Sequence, residues 1–184
     1  MKIKSLTLWI SCRLFILLAA ILLAAVAPPA RAAESEFSKS TIDIGIVAKD
    51  SDRTARFLTN VIGFKEVKGF AVSGDLGKKL GLIDGHAAQA RVFVLEEVEQ
   101  ATRLKLFAFP EAPGKQPDQA YLHSSLGIRY LTLFVKDINP ILARAKKASV
   151  SPLGETPVEI STGTWLLAVK DPDGNFIEVI GPRR

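Results

Sequence analysis

At 184 residues, the chain is long enough for one domain or for two small joined modules. Four of its 24 Lys and Arg and none of its 19 Asp and Glu fall within residues 1–33, so the remainder carries 20 basic against 19 acidic side chains and gives no electrostatic case for a nucleic-acid partner. Cys12, the only cysteine, lies in the same stretch, which excludes a disulfide or a thiol nucleophile from the rest of the chain.

Residues 1–33 read as a signal peptide. Lys2, Lys4 and Arg13 precede an unbroken apolar run from Leu14 to Ala27, and Pro28-Pro29 and Ala30-Arg31-Ala32-Ala33 follow. A basic start, a short apolar middle and a small-x-small exit mark a cleaved leader. The run is 14 residues long, whereas a retained membrane anchor needs roughly 18 or more. The expectation is cleavage near Ala32 or Ala33, an exported (periplasmic or secreted) protein, and no membrane attachment afterwards.

Residues 34–40 are a polar lead-in. Thr41 to Ala48 predicts a strand, with Ile42, Ile44 and Ile46 facing one way and Asp43, Gly45 and Val47 the other. Asp50-Ser51-Asp52 supplies capping side chains for a helix that places Phe57, Leu58, Val61 and Ile62 on one face and stops at Gly63. Strands are predicted over Phe64–Phe70, Ala90–Leu95 and Leu104–Phe109. Between the first two of these, Ala71 to Gln89 reads as a short helix and a flap. Its glycines do not fit a phosphate-binding loop, because Gly77-Lys78 is followed by Lys79 where Ser or Thr is required. Pro110 to Gln119 is Pro- and Gly-containing linker.

The second half repeats the pattern. Ile128 to Val135 predicts a strand, and a helix follows with Ile138, Ile141, Leu142 and Ala145 on one face and Pro140 in its first turn. A weak strand near Val158–Ile160 precedes strands over Thr164–Lys170 and Phe176–Ile180. Asp171-Pro172-Asp173-Gly174, joining the last two, has the chemistry of a type I turn. Setting Asp50 against Asp137 superimposes Ile44-Gly45-Ile46-Val47-Ala48-Lys49-Asp50 on Leu131-Thr132-Leu133-Phe134-Val135-Lys136-Asp137, so both halves read β-α-β-β-β.

Two such modules, the Lys-Asp strand-to-helix junctions and the Asp-Pro-Asp-Gly-Asn-x-x-Glu ending together resemble the vicinal oxygen chelate superfamily of glyoxalase I, extradiol dioxygenases and bleomycin-resistance proteins. The resemblance covers residues 41–181, with module one at 41–110, the linker at 111–124 and module two at 125–181. It implies an α+β, glyoxalase-like fold in which an open, partly barrelled mixed sheet surrounds a cavity. It also implies a divalent metal held by four residues from the first and last strands of each module. Here those positions carry Asp43, Lys105, Tyr130 and Glu178. Only Glu178 matches the usual ligands outright; Asp43 offers oxygen, Tyr130 is a poor ligand, and Lys105 is a cation where a carboxylate is usual. Homodimers occur among such proteins, with the modules paired within one chain or between two.

The residues support the geometry independently. Asp43, Lys105, Tyr130 and Glu178 each alternate with neighbouring aliphatics, which directs the four polar groups to the face opposite the core and into a common cavity. Phe107, Phe109 and Phe134 share that parity and would make the pocket largely apolar. A lysine coordinates metal only when deprotonated, whereas its ammonium can neutralise Asp43 and Glu178 in a metal's place. The bland alternative is that Lys105 snorkels to the rim. His86 in the flap and His123 in the segment leading into module two are too far apart to form a ligand motif, and Trp165 suits either a cavity wall or the core.

The sequence therefore points first to an exported, metal-free protein that binds a small organic ligand through Asp43, Lys105, Phe107, Phe109, Tyr130, Phe134 and Glu178. The second reading is a lyase, isomerase or dioxygenase using iron, manganese, nickel or zinc on Asp43 and Glu178. The third is a non-catalytic interaction module.

Overall fold

The computed structural model describes residues 35–184; the expected leader lies outside the described residues. In module one, β1 (Ile44–Val47) leads into α1 (Ser51–Phe57), a π-helical turn (Leu58–Ile62), β2 (Lys65–Val72), α2 (Gly74–Lys79), β3 (Ala88–Val94) and β4 (Leu104–Phe107). After a single turn of 3-10 helix at Leu122–Ser124, module two has β5 (Tyr130–Phe134), α3 (Asn139–Lys147), β6 (Val158–Ser161), β7 (Thr164–Lys170) and β8 (Phe176–Gly181).

The repeat extends to the topology. One sheet has the order β1-β4-β3-β2 and the other β5-β8-β7-β6, with the first strand of each module parallel to its last. The two expected βαβββ modules are thus present, each as an open four-stranded mixed sheet that does not close on itself. In registers that match, Ile44 pairs with Leu104 and Leu131 with Ile177, so Lys105 and Glu178 occupy equivalent places in the two modules.

Local chemistry sets the element ends. The Asp50 carboxylate accepts the N–H groups of Asp52 and Arg53 at 3.0 and 2.9 Å and so caps α1. Gly63 ends the π-helical turn in a left-handed conformation, φ +103°, which a side chain would strain. Several strands differ from expectation at their ends. β1 begins only at Ile44, which leaves Asp43 just ahead of it, and β4 ends at Phe107, two residues short of the expected Phe109.

One face of each sheet packs on a common core. Phe93, Leu104 and Leu106 of module one and Leu133, Leu167, Val169, Ile177 and Val179 of module two belong to one buried cluster with Phe57, Leu58, Ile138 and Ile141 from the helical segments. Burying this apolar surface is the dominant favourable term in holding the modules together. Polar clasps fix their register. Arg144 on α3 donates from Nε to the Val61 carbonyl and from Nη2 to the Ile62 carbonyl, both at 2.9 Å, so module two satisfies carbonyls at the end of the first helix.

The Asp171–Gly174 turn forms the other clasp. It closes through a 3.0 Å bond from the Gly174 N–H to the Asp171 carbonyl. Asp171 is buried, its carboxylate accepting N–H groups from Asp173 and Asn175 and the Asn175 side-chain amide. Burial nevertheless outweighs these bonds and pushes its carboxyl above the ordinary value. Asp173 reaches module one, accepting from the Lys49 N–H at 3.2 Å, and Gln116 and Gln119 tie the linker to the Asp173 carbonyl and to Asn175. The stretch expected to be a plain turn and linker is thus the seam between the modules.

Candidate functional site

The open faces of the sheets carry the expected site residues. On β4 the burial alternates, with Leu104 and Leu106 in the core and Lys105 and Phe107 on the other side. Across from Lys105 stands Gly45, and a Cβ added there would meet nothing within 4 Å. That gap lets the lysine side chain reach Asp43, with Nζ 3.0 Å from Oδ2. At the equivalent place in module two, Thr132 fills the gap and donates to the Glu178 carboxylate at 2.9 Å. Asp43 and Lys105 therefore come together, while Glu178 has a different partner on the second sheet.

Asp43 carries a second cation. Lys39, from the lead-in, donates to its Oδ1 at 2.7 Å, so each oxygen faces an ammonium. Hydrogen bonding by Lys39 first, and then by Lys105, lowers the Asp43 carboxyl from 3.8 to about 2. A depressed carboxyl contributes stability that is fully present above its unfolded value and is lost as pH falls through its folded one. Asp43→Asn should therefore destabilise the fold at pH 7 by about 1 kcal/mol, a magnitude set by solvent screening. Urea titrations should show that difference shrinking between pH 3.8 and about 2; a difference constant over this window would rule out the assigned ion pairs.

Aromatic residues extend the site. The Lys105 ammonium lies 5.9 Å from the Phe70 ring centre, Phe70 meets Phe107 edge-on at 6.4 Å, and Phe107 stacks with Phe109 at 6.4 Å. Phe109 and Val47 then line a cleft of about 530 Å³, whose other walls are the linker around Pro113–Pro117 and the Asp173–Asn175 seam. Tyr130 and Phe134 sit on the open face of module two, 48% and 77% exposed.

Other candidates fall elsewhere. Trp165 packs against the core, with the Arg183 guanidinium 5.0 Å from its ring. His86 stands by Asp84, and His123 stacks on Tyr121 at 5.6 Å. Sequence reasoning missed Lys39, Phe70 and Thr132. Thr132 was accessible in principle from parallel pairing of β5 with β8; nothing in a polar lead-in marks Lys39.

The donor set suits an ion pair better than a divalent cation. Both Asp43 oxygens are engaged by ammonium groups, and Lys105 would repel a metal. Among the described residues, no three His, Cys, Asp or Glu converge.

The profile of the Glyoxalase/Bleomycin resistance protein/Dioxygenase superfamily matches residues 42–179. Among solved structures, the chain is similar to a glyoxalase family protein from Bacillus cereus, with a TM-score of 0.67 and 20% identity over 83% of this chain and 99% of that one. It is also similar to the trypanothione-dependent glyoxalase I of Leishmania major, with a TM-score of 0.55 and 20% identity over 78% and 87%. A third is TnmS3, an antibiotic binding protein from Streptomyces sp. CB03234, with a TM-score of 0.53 and 18% identity over 81% and 99%. At these identities the likeness is one of fold. A search of curated protein sequences finds no match.

Proposed function

The chain belongs to the glyoxalase/bleomycin resistance protein/dioxygenase superfamily, and we propose that it is an exported, metal-independent member that binds a small aromatic anion. The observation that carries this reading is the Lys105 ammonium 3.0 Å from Asp43, at a position where the family resemblance implies a metal-binding carboxylate. Lys39 lets this lysine work. When an anionic ligand draws Lys105 away, Lys39 still compensates Asp43, so the carboxylate is never left without a partner. The rings of Phe70, Phe107 and Phe109 would take the ligand's planar body, and the cleft under the linker its far end. The likeness to an antibiotic binding protein is one of fold and leaves the activity to be argued from these side chains.

The test uses the chain from residue 34 onward. After exposure to manganese, iron, nickel and zinc and exhaustive dialysis, it should retain no stoichiometric metal, whereas Lys105→Glu should gain retention. In a panel of planar aromatic carboxylates, a ligand at 100 times its Kd should stabilise the unmutated chain by about 2.7 kcal/mol, and Lys105→Ala should abolish the effect. Stoichiometric metal in the unmutated chain that disappears in Glu178→Ala would overturn the proposal.

A further inference from the structure

A second cleft lies away from this strip, between α1 and the loop that follows α3. Its volume is about 490 Å³, and Arg53, Arg56, Phe57, Val61, Ser149 and Val150 are among its lining residues. Arg53 and Arg56 are three residues apart on α1, so both guanidinium groups rise from the same helix face. Both are exposed, and among the described residues neither forms an ion pair with a carboxylate. Several other cations have defined work: Arg91 clamps Asp52 and Glu66, Lys39 and Lys105 hold Asp43, and Arg144 caps the first helix.

Asp50, at the start of α1, feels both guanidinium charges, but its carboxylate is held by the Asp52 and Arg53 N–H groups and is not among the lining residues, so the lining itself is one-sided in charge. Asp171 lines the cleft, but its carboxylate is turned into its own turn, where three N–H groups occupy it. Lys170 also contributes to the wall, yet its ammonium is drawn off to the Gln119 carbonyl and the Phe176 ring. What remains is two guanidinium groups beside an apolar floor of Phe57, Val61 and Val150. The opposite wall is shaped by Ser149, which holds a left-handed backbone, φ +56°, that residues other than glycine seldom adopt. Guanidinium forks match the planar or tetrahedral oxygens of an anionic head, and the apolar floor suits a hydrocarbon or aryl body.

We propose that this cleft is a second ligand site, taking a single small amphiphile whose sulfonate, phosphate or carboxylate head lies between Arg53 and Arg56. Being recessed between two elements, it suits one molecule and not a bilayer surface. The site is independent of Lys105.

The probe is 8-anilinonaphthalene-1-sulfonate, followed by its fluorescence and by amide shifts in the full chain from residue 34. Binding read from the amide shifts of the cleft itself should be saturable, weaken at least tenfold in Arg53→Gln/Arg56→Gln, and stay unchanged in Lys105→Ala, whatever that variant does to probe bound at the open sheet faces. Shifts should fall on Arg53–Val61 and Ala148–Ser151. N-phenyl-1-naphthylamine, which has the same rings without the sulfonate, should bind at least tenfold more weakly. The glutamine variant changes only exposed side chains and should keep the parent's circular dichroism. No saturable binding to the unmutated chain, full affinity in the glutamine variant, equal binding of the uncharged probe, or shifts confined to the open sheet faces would each overturn the proposal.

Discussion

Phe93→Ala should lower the free energy of unfolding by about 3–5 kcal/mol, measured by urea denaturation at pH 7. Phe93 is fully buried on β3, the strand between β2 and β4, with Glu66 and Leu104 as its neighbours in register. Its ring belongs to the cluster that contains residues of both modules, so the cavity left by truncation would open where the modules share their core. The Arg91 guanidinium, 5.8 Å from the ring centre, would also lose its aromatic neighbour. Domains of this size are stable by only about 5–15 kcal/mol, so the loss is a large share of the total. Phe134→Ala is the control: this ring is 77% exposed, and its removal should change stability by no more than about 0.5 kcal/mol. Equal losses in the two variants would show that the assigned core is wrong.

Arg144→Met should cost about 2–4 kcal/mol, because it keeps much of the side-chain bulk but removes two charge-assisted bonds at the end of the first helix. The Val61 and Ile62 carbonyls would then have to find water at a place where Val61 and Ile62 are themselves buried. Lysine cannot substitute, since a single ammonium lacks the planar fork that serves both acceptors. Gly63 belongs to the same junction. A Cβ there would lie 3.0 Å from the Arg144 Nη2 atom, in addition to the strain of its left-handed backbone. The losses in Gly63→Ala and Arg144→Met should therefore fail to add by at least about 0.5 kcal/mol in a double-mutant cycle. Strict additivity would mean that the two residues act separately.

These two sites also show what a sequence can disclose. Gly63 was visible as a helix stop because φ > 0 is a local requirement, and Asp50 as a cap because the N–H groups that donate to it lie two and three residues away. The sides taken by Lys105 and Glu178 followed from period-two alternation, which the burial of β4 and β8 reproduces. The Arg144 clasp was invisible, since its partners are 82 and 83 residues distant and a helix-surface arginine ordinarily means solvent. Asp173 was hidden for the same reason: its sequence spells a turn, and its bond to Lys49 spans 124 residues. In the candidate site, parity placed Phe107 with Lys105, but the contact with Phe70 depends on how β2, β3 and β4 align. That alignment includes an irregularity between Val67 and Phe70. Local rules located the residues; long-range pairing decided which of them meet.

The clasps change what the covalent connection between the halves contributes. Arg144, the Asp173 seam and the shared core all cross from one module to the other without using the peptide chain between them. Beyond the bonds of Gln116 and Gln119 to the seam, the linker raises the effective concentration of each half for its counterpart, an entropic contribution that varies only slowly with its length. A protease cut at Gly114 would thus leave a nicked heterodimer that holds its shape, and two fragments made separately could reassemble, provided each survived long enough with half of its core wet.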